Sequence, residues 1–213
     1  MQVGIVGYYG HNAYCDDYIE IAIKQTFNRL SAEPIEWIRP TPGDYSSLDL
    51  IILGGGSLLG MPMDALQSGF IQGLRGAKCP FCIYGTGFRE LSDGGLEDLK
   101  YLWERAEFIA VRGPSSVERL EACGLDTSKI TVLGDPIFLC ERRERMWRDD
   151  AYISGVCRPH HNINIENMKE IFDFLKNERQ EDVKLFSFSI AQGDYDAGRV
   201  LGFKTYSLSR QQT

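Results

Sequence analysis

The stretch with the clearest chemical potential is a run of three glycines and a serine that follows a strongly apolar segment. Asp49 opens this segment, four aliphatic residues follow, and Gly54-Gly55-Gly56-Ser57 close it. The pattern is typical of a buried parallel strand ending in a tight turn at the ligand-binding edge of an open sheet. There, glycines let the backbone approach a ligand, and the next helix directs N–H groups and its positive dipole end towards an anion. The pattern fits equally well glycines that only permit a sharp strand-to-helix corner.

Such a turn must be positioned by a sheet, and the chain supplies one by alternating strand and helix patterns. Repeated βα units of this length predict an α/β fold with a doubly wound, parallel, Rossmann-like sheet. The predicted strands span residues 3–7, 35–38, 49–53, 79–84, 108–111 and 130–133, and the predicted helices span 16–30, 64–74, 96–106 and 114–123.

A change of sequence texture near residue 140 predicts the domain organisation. Residues 1–140 form the N-terminal lobe, and residues 141–151 are densely charged, which predicts a linker or an exposed helix. Residues 152–213 begin a new α/β series that predicts a partial C-terminal lobe with one face underfilled. Its predicted strands span 152–157, 183–188 and 203–208, and its predicted helices span 165–175 and about 196–201.

Composition narrows the function classes. A net charge of -7 argues against nucleic-acid binding, which needs a basic face, so any anionic ligand must be met by local arginines. The first residues lead directly into a strand pattern, which predicts no signal peptide, and no apolar run is long enough to span a bilayer. Six scattered cysteines do not make the framework of a small secreted protein and are interpreted as reduced thiols. These features predict a cytoplasmic protein with at most peripheral membrane association.

Common cofactor and metal motifs are weak in this sequence. The glycines around the first strand are spaced three apart and lack the closer Gly-x-Gly pair of the dinucleotide fingerprint, and no P-loop occurs. Cys79 and Cys82 have redox spacing but fall within a predicted strand, which favours buried thiols. With Cys157 and His160 they could supply four zinc ligands, yet one Cys-x-x-Cys without a second pair is weak evidence. The sequence therefore predicts neither a nicotinamide cofactor nor a metal site.

Four motifs occur in order along residues 3–139. They are Gly7-Tyr8-Tyr9-Gly10-His11-Asn12 with Asp16-Asp17, the segment 49–58, Val111-Arg112-Gly113-Pro114-Ser115-Ser116, and Leu120 and Gly124 with Leu133-Gly134-Asp135-Pro136. In this order and spacing they resemble the polysaccharide pyruvyltransferase family, more specifically than any single motif does. From residue 152 onward the resemblance is limited to the expected restart of a second lobe.

The resemblance implies a fold and a reaction. The implied fold is two Rossmann-like lobes, as in glycosyltransferases of the B type, with the active site in the cleft between them. The implied reaction moves the pyruvyl group of phosphoenolpyruvate onto two hydroxyls of one sugar, forming a cyclic ketal and releasing phosphate. The acceptor is a sugar of a cell-surface polysaccharide or of its lipid-linked oligosaccharide precursor. No cofactor beyond the donor substrate is implied.

The resemblance also implies roles for individual residues. Arg112 supplies bidentate donors to the anionic groups of phosphoenolpyruvate, and Asp16 accepts the proton of the attacking sugar hydroxyl. The same residue types also fit simpler roles, which are a helix cap for Asp16 and a salt bridge for Arg112. The implied substrate-binding residues are Gly10, Asn12, Gly54, Gly55, Gly56, Ser57, Gly85, Ser115 and Asp135.

Two other functions fit the sequence. One is a non-catalytic binding or scaffold subunit, or a truncated inactive homologue, because the family's second lobe continues beyond the length found here. Such a protein is expected to form a homo-oligomer or to associate with a partner chain. The other is a glycosyltransferase that uses a nucleotide sugar. Ketal formation would support the pyruvyltransferase, and association with a partner without turnover would support the binding subunit. Protection by a nucleotide sugar, without protection by phosphoenolpyruvate, would support the glycosyltransferase.

Overall fold

The computed structural model describes residues 1–11, 14–40, 43–139, 153–155, 165–179, 183–187, 201 and 205–207. The chain forms two units, of which the first comprises Met1–Tyr9 with Tyr18–Glu141 and the second comprises Gly10–Asp17 with Arg142–Thr213. The short segment Gly10–Asp17 is therefore grouped with the second unit, although it precedes most of the first in sequence. The charged segment 141–151 lies outside the described residues, and the predicted domain boundaries around it stay a prediction.

The first unit is built on a six-stranded parallel sheet in the order β2-β1-β3-β4-β5-β6. The predicted Rossmann-like α/β fold is confirmed, and strand order reverses at β1, between β2 and β3. The elements are β1 (Gln2–Val6), α1 (Tyr14–Leu30), β2 (Glu36–Ile38), β3 (Leu50–Gly54), α2 (Phe70–Gly76), β4 (Phe81–Thr86), α3 (Gly95–Arg105), β5 (Phe108–Val111), α4 (Pro114–Ala122) and β6 (Ile130–Val132).

Helices cover both faces of this sheet, which explains the uninterrupted apolar run in β3. Successive strand residues point to opposite faces, so Ile51 and Leu53 enter one core and Ile52 enters the other. All three side chains are fully buried. The first core adds Phe70, Leu74, Leu99, Leu102 and Leu120 from α2, α3 and α4, and the second adds Ile19 and Ile23 from α1.

One predicted helix is wrong. The pattern over 64–74 predicts a single helix, but the structure has a 3₁₀ turn at Met63–Ala65 and a separate α2 at Phe70–Gly76. Gly69 separates them, because its φ of 69° is left-handed and its N–H donates to Asp64 Oδ1 at 3.0 Å. The other predicted elements of the first unit agree with the structure to within two residues at each end.

The second unit contains a three-stranded parallel sheet in the order β7-β8-β9. Its strands are β7 (Ile153–Gly155), β8 (Val183–Ser187) and β9 (Thr205–Ser207), and α5 (Ile165–Asn177) lies between β7 and β8 in sequence. The predicted strands and the first predicted helix of this series are confirmed, whereas the predicted helix near residues 196–201 lies outside the described residues except for Leu201. Within the described part of the chain, no helix combines the length and the apolar character needed to cross a bilayer.

Glu20, on the second turn of α1, is a buried carboxylate in the first unit. It is 5% exposed, accepts hydrogen bonds from Arg39 Nε at 3.1 Å and from Arg39 Nη2, and lies 2.8 Å from Lys24 Nζ. Burial raises the pKa of Glu20, but the hydrogen bonds from Arg39 and Lys24 outweigh burial and hold it below its ordinary value of 4.5. The ionised form of Glu20 therefore stabilises the folded state.

This ion pair predicts a pH dependence of stability. Because the pKa of Glu20 is lower in the folded than in the unfolded state, its contribution is present above the unfolded value and is lost as the pH falls through the folded value. Glu20→Gln is expected to lower the free energy of unfolding by ~1–3 kcal/mol at neutral pH and to flatten its decrease below about pH 4.5. Urea unfolding from neutral pH to about pH 3 measures this, with the exposed Glu33→Gln as the control. An unchanged acid slope in Glu20→Gln would contradict the assignment.

Candidate functional site

Turns from four neighbouring strands meet at the carboxyl edge of the first sheet. They follow or end β3, β4, β5 and β6, which lie side by side in this order. In parallel sheets this edge is where ligands bind. It holds most of the predicted site residues, and the turns differ in how they are held.

The turn at the end of β3 is fixed from the side of α1. Gly55 and Gly56 have φ values of 69° and 57°, a conformation that side chains other than glycine rarely adopt. Tyr9 donates its hydroxyl hydrogen to Gly54 O. A Cβ atom on Gly55 would lie only 2.5 Å from Ile19 Cγ2. The glycines of this turn are therefore required by backbone conformation and by close packing against α1.

The backbone amides that follow these glycines are already hydrogen-bonded within the sheet edge. Beyond the turn, Leu58 N donates to Thr86 Oγ1 at 3.2 Å, and Leu59 N donates to Gly87 O at 3.1 Å. The backbone amides that an N-terminal helical turn would direct at an anion are thus bonded to the end of β4. The next α-helix, α2, begins only at Phe70.

The end of β4 forms a bulge that reaches across the sheet. The pairing of β4 with β5 moves from Tyr84–Ala110 to Thr86–Val111, which leaves Gly85 out of register. Gly85 has a φ of 65°, and a Cβ atom placed on it would lie 2.1 Å from Pro136 Cγ. The bulge therefore holds the turn after β6 against β4, although β5 lies between these strands in the sheet.

Arg112 is the first residue after β5 and lies among these turns. Its N–H donates to Thr86 O at 3.1 Å, and its Nη2 lies 3.0 Å from Asp135 Oδ2. The two side chains are 29% and 25% exposed, respectively. Arg112 Nε is buried and has no hydrogen-bond partner in the part of the chain that the structure describes. The salt bridge considered from the sequence is present, and one donor of the guanidinium is left unsatisfied.

Ser57 and Arg112 approach each other at Gly87. A Cβ atom on Gly87 would lie 3.0 Å from Ser57 Oγ, which is a tight contact, and 3.5 Å from Arg112 Cδ, which is an ordinary van der Waals contact. Ser115 is exposed in the first turn of α4, and Gly113 precedes that helix without a side-chain cap. The structure thus places Ser57 and Asp135 beside Arg112 and Gly85 against Pro136, with Ser115 on the adjoining helix and the glycines of the β3 turn packed on the side of α1.

The other predicted site residues belong to the segment Gly10–Asp17. Gly10 N donates to Asp17 Oδ1 at 2.7 Å, so Asp17 holds the turn that follows β1. Asp16 is partly buried in the first turn of α1. Asn12 lies outside the described residues. The catalytic role of Asp16 and the substrate-binding roles of Gly10 and Asn12 stay predictions.

Cys79 and Cys82 are free thiols and both are partly buried. Cys82 lies within β4, and Cys79 lies two residues before β4 begins. Burial raises the pKa of both thiols. Cys157 and His160, the other considered zinc ligands, lie outside the described residues. Among the residues that are described, no group of three or more histidine, cysteine, aspartate or glutamate side chains is arranged to hold a metal ion.

Comparison with known proteins assigns the family. The sequence profile of the family described as polysaccharide pyruvyl transferase matches residues 6–209. The chain belongs to this family. The resemblance found in the first 139 residues is confirmed, and the match continues through the second unit. No curated protein matches the sequence at a significant level.

A solved structure supports the fold of this polysaccharide pyruvyl transferase family member. It is a functionally uncharacterized protein from Klebsiella pneumoniae subsp. pneumoniae NTUH-K2044, with 13% sequence identity and a TM-score of 0.51. The alignment covers 99% of the present chain and 84% of the Klebsiella chain. At this identity the similarity establishes a shared fold only.

Two hydroxyl groups at the site of this family member were missed by sequence reasoning. Thr86 is fully buried, and its hydroxyl bonds to the turn after β3. Ser116 is 6% exposed, and its hydroxyl accepts a hydrogen bond from Phe88 N at 3.2 Å. The available signal was a threonine placed between two glycines at the end of an apolar strand.

Proposed function

We propose that this polysaccharide pyruvyl transferase family member moves the pyruvyl group of phosphoenolpyruvate onto two hydroxyls of one sugar, forming a cyclic ketal. The proposed acceptor belongs to a cell-surface polysaccharide or its lipid-linked oligosaccharide precursor, so the protein would serve exopolysaccharide or cell-wall synthesis. The proposed setting is the cytoplasm, with at most peripheral contact with a membrane and no cofactor beyond the donor. Family membership supports the reaction class. The environment of Arg112 is the observation on this chain that carries the proposal.

Arg112 is suited to bind phosphoenolpyruvate because this substrate presents both a phosphate and a carboxylate. A guanidinium binds such groups with two parallel N–H donors, which a lysine cannot do. A buried donor left without an acceptor costs ~1–3 kcal/mol, and Arg112 Nε is such a donor. An anionic oxygen of phosphoenolpyruvate that accepts a hydrogen bond from Nε would recover this free energy. Binding of phosphoenolpyruvate would thus provide a hydrogen-bond acceptor for Arg112 Nε, which lacks one in the unliganded protein.

Asp135 would orient Arg112 for this contact. Its Oδ2 lies 3.0 Å from Arg112 Nη2, and its Oδ1 accepts a hydrogen bond from Ile137 N at 3.1 Å. A carboxylate held on both oxygens restricts rotation of the guanidinium. It also lowers the local positive charge, which favours a ligand that can form two charge-assisted hydrogen bonds over a simple anion.

The chemistry needs one proton donor and one proton acceptor. A proton adds to the methylene carbon of phosphoenolpyruvate while a sugar hydroxyl attacks C2 and loses its proton to a base. The second hydroxyl then attacks the same carbon and displaces phosphate, so that ketal and phosphate account for all atoms of the reactants. Asp16 is the proposed base, on the strength of its place in the family motif.

The test is to incubate the protein with phosphoenolpyruvate and a panel of saccharide acceptors. We expect phosphate release that depends on the acceptor, together with a new ketal methyl resonance in the proton NMR spectrum. We also expect millimolar phosphoenolpyruvate to raise the melting temperature. Phosphate release without a ketal would indicate hydrolysis, and stabilisation by a nucleotide sugar but not by phosphoenolpyruvate would contradict the proposal in favour of a glycosyltransferase.

A further inference from the structure

The Thr86 hydroxyl is a buried bridge between the ends of β4 and β3. It donates to Gly56 O at 3.3 Å and accepts from Leu58 N at 3.2 Å. Thr86 is 0% exposed, and Leu58 is 4% exposed. The Leu58 amide is therefore shielded from water on the side of this hydroxyl.

The backbone around Thr86 extends the bridge to Arg112. Thr86 O accepts from Arg112 N at 3.1 Å, and Gly87 N donates to Gly56 O at 2.9 Å. One residue of β4 thus holds the turn after β3 through its side chain and the start of the turn after β5 through its carbonyl. Ser57, which lies between Gly56 and Leu58, is placed beside Arg112 by the same contacts.

We propose that Thr86 is a positioning residue of the donor site: its hydroxyl fixes the turn after β3 relative to Arg112. The inference rests on the proposed function. Thr86 itself does not touch substrate, because its side chain is fully covered. It acts through Ser57 and Arg112, which are accessible from the carboxyl edge of the sheet.

The threonine hydroxyl matters because it is the acceptor for Leu58 N, whereas the other contacts of this turn are backbone hydrogen bonds and packing against α1. Gly55 and Gly56 have more backbone freedom than any other residue type, and their left-handed conformations are kept by the surrounding contacts. Replacing Thr86 with valine keeps the side-chain volume but removes the hydrogen bond from Leu58 N. It also removes one of the two hydrogen bonds to Gly56 O, which keeps the one from Gly87 N. Displacements of about 1 Å at a positioned group can lower activity about a hundredfold, so a shift in this turn is expected to reach the donor.

The test combines amide hydrogen exchange with phosphoenolpyruvate titration. In Thr86→Val we expect exchange at the Leu58 amide to quicken about tenfold and the Kd for phosphoenolpyruvate to rise about tenfold. Thr86→Ser restores both, since it keeps the hydroxyl. Thr26→Val is the matched control, because its hydroxyl donates to Ala22 O at 2.9 Å within α1, and it is expected to change neither quantity. If Thr86→Val does not fold, Thr86→Ala takes its place.

The outcomes separate this inference from the proposed function. Unchanged exchange at Leu58 overturns the inference, and so does faster exchange with an unaltered affinity for phosphoenolpyruvate. If the wild-type protein does not bind phosphoenolpyruvate, the proposed function fails, and the exchange measurement alone decides whether the hydroxyl holds the turn.

Discussion

Arg112→Ala is expected to remove the stabilisation of this protein by phosphoenolpyruvate and to lower ketal formation at least a hundredfold. Truncating one member of a charged, hydrogen-bonded pair typically costs about 2–5 kcal/mol of binding free energy, and each 1.4 kcal/mol is about tenfold in affinity. Arg112→Lys is expected to lose most of the affinity as well, because it keeps the charge but not the planar set of donors. Thermal-shift titration and the phosphate-release assay measure both variants.

The matched control for this prediction is Arg119→Ala. Arg119 is an exposed arginine on α4, seven residues further along the same strand-helix unit. Its loss changes the net charge equally but leaves the carboxyl edge of the sheet intact. Equal loss of affinity in both variants would mean that net charge, rather than the Arg112 guanidinium, governs donor binding. Full affinity in Arg112→Ala would place the donor elsewhere.

Gly85→Ala is expected to damage both stability and donor binding. A Cβ atom at this position lies 2.1 Å from Pro136 Cγ, and the φ of 65° is unfavourable for alanine. Strain of ~1–2 kcal/mol and overpacking of ~1–3 kcal/mol together predict a loss of about 2–5 kcal/mol in the free energy of unfolding. Displacement of Pro136 also moves the neighbouring Asp135, so the affinity for phosphoenolpyruvate is expected to fall together with stability.

Gly134→Ala separates the effect of backbone strain from the effect of steric overlap with Pro136. Gly134 has a φ of 89° but no atom within 4 Å of an added Cβ, so alanine there meets strain without overlap. We expect ~1–2 kcal/mol of destabilisation and near-normal donor affinity. Urea unfolding and phosphoenolpyruvate titration compare the two variants. Equal effects of the two substitutions on donor affinity would show that the contact with Pro136 does not position the site.

The sheet could be predicted because its signal is local. The apolar run of β3 and its closing glycines require a strand buried on both faces, and residues 50–54 form that strand. The division of the region 64–74 could not be predicted, since it depends on the conformation of Gly69 and on a side-chain bond from Asp64. Helical periodicity continues across that break.

The candidate site was predictable in residue types but not in contacts. Glycines marked the turns, and the family resemblance marked Arg112 as the proposed anion contact. The pairing of Arg112 with Asp135 joins residues that are distant in sequence, and the bulge at Gly85 is visible only as a shift in strand register. The hydrogen bonds of Leu58 N and Leu59 N to Thr86 Oγ1 and Gly87 O were not predictable for the same reason.

The close packing of the β3 turn against α1 affects how a mutational screen for activity would be interpreted. An added Cβ would lie 2.7 Å from Ile23 Cδ1 at Gly54 and 2.5 Å from Ile19 Cγ2 at Gly55. Substitutions at these glycines would score as inactive even if neither residue ever touched the donor. At this edge of the sheet, inactive variants at Ser57 are therefore more informative about ligand contacts than inactive variants at the glycines that precede it.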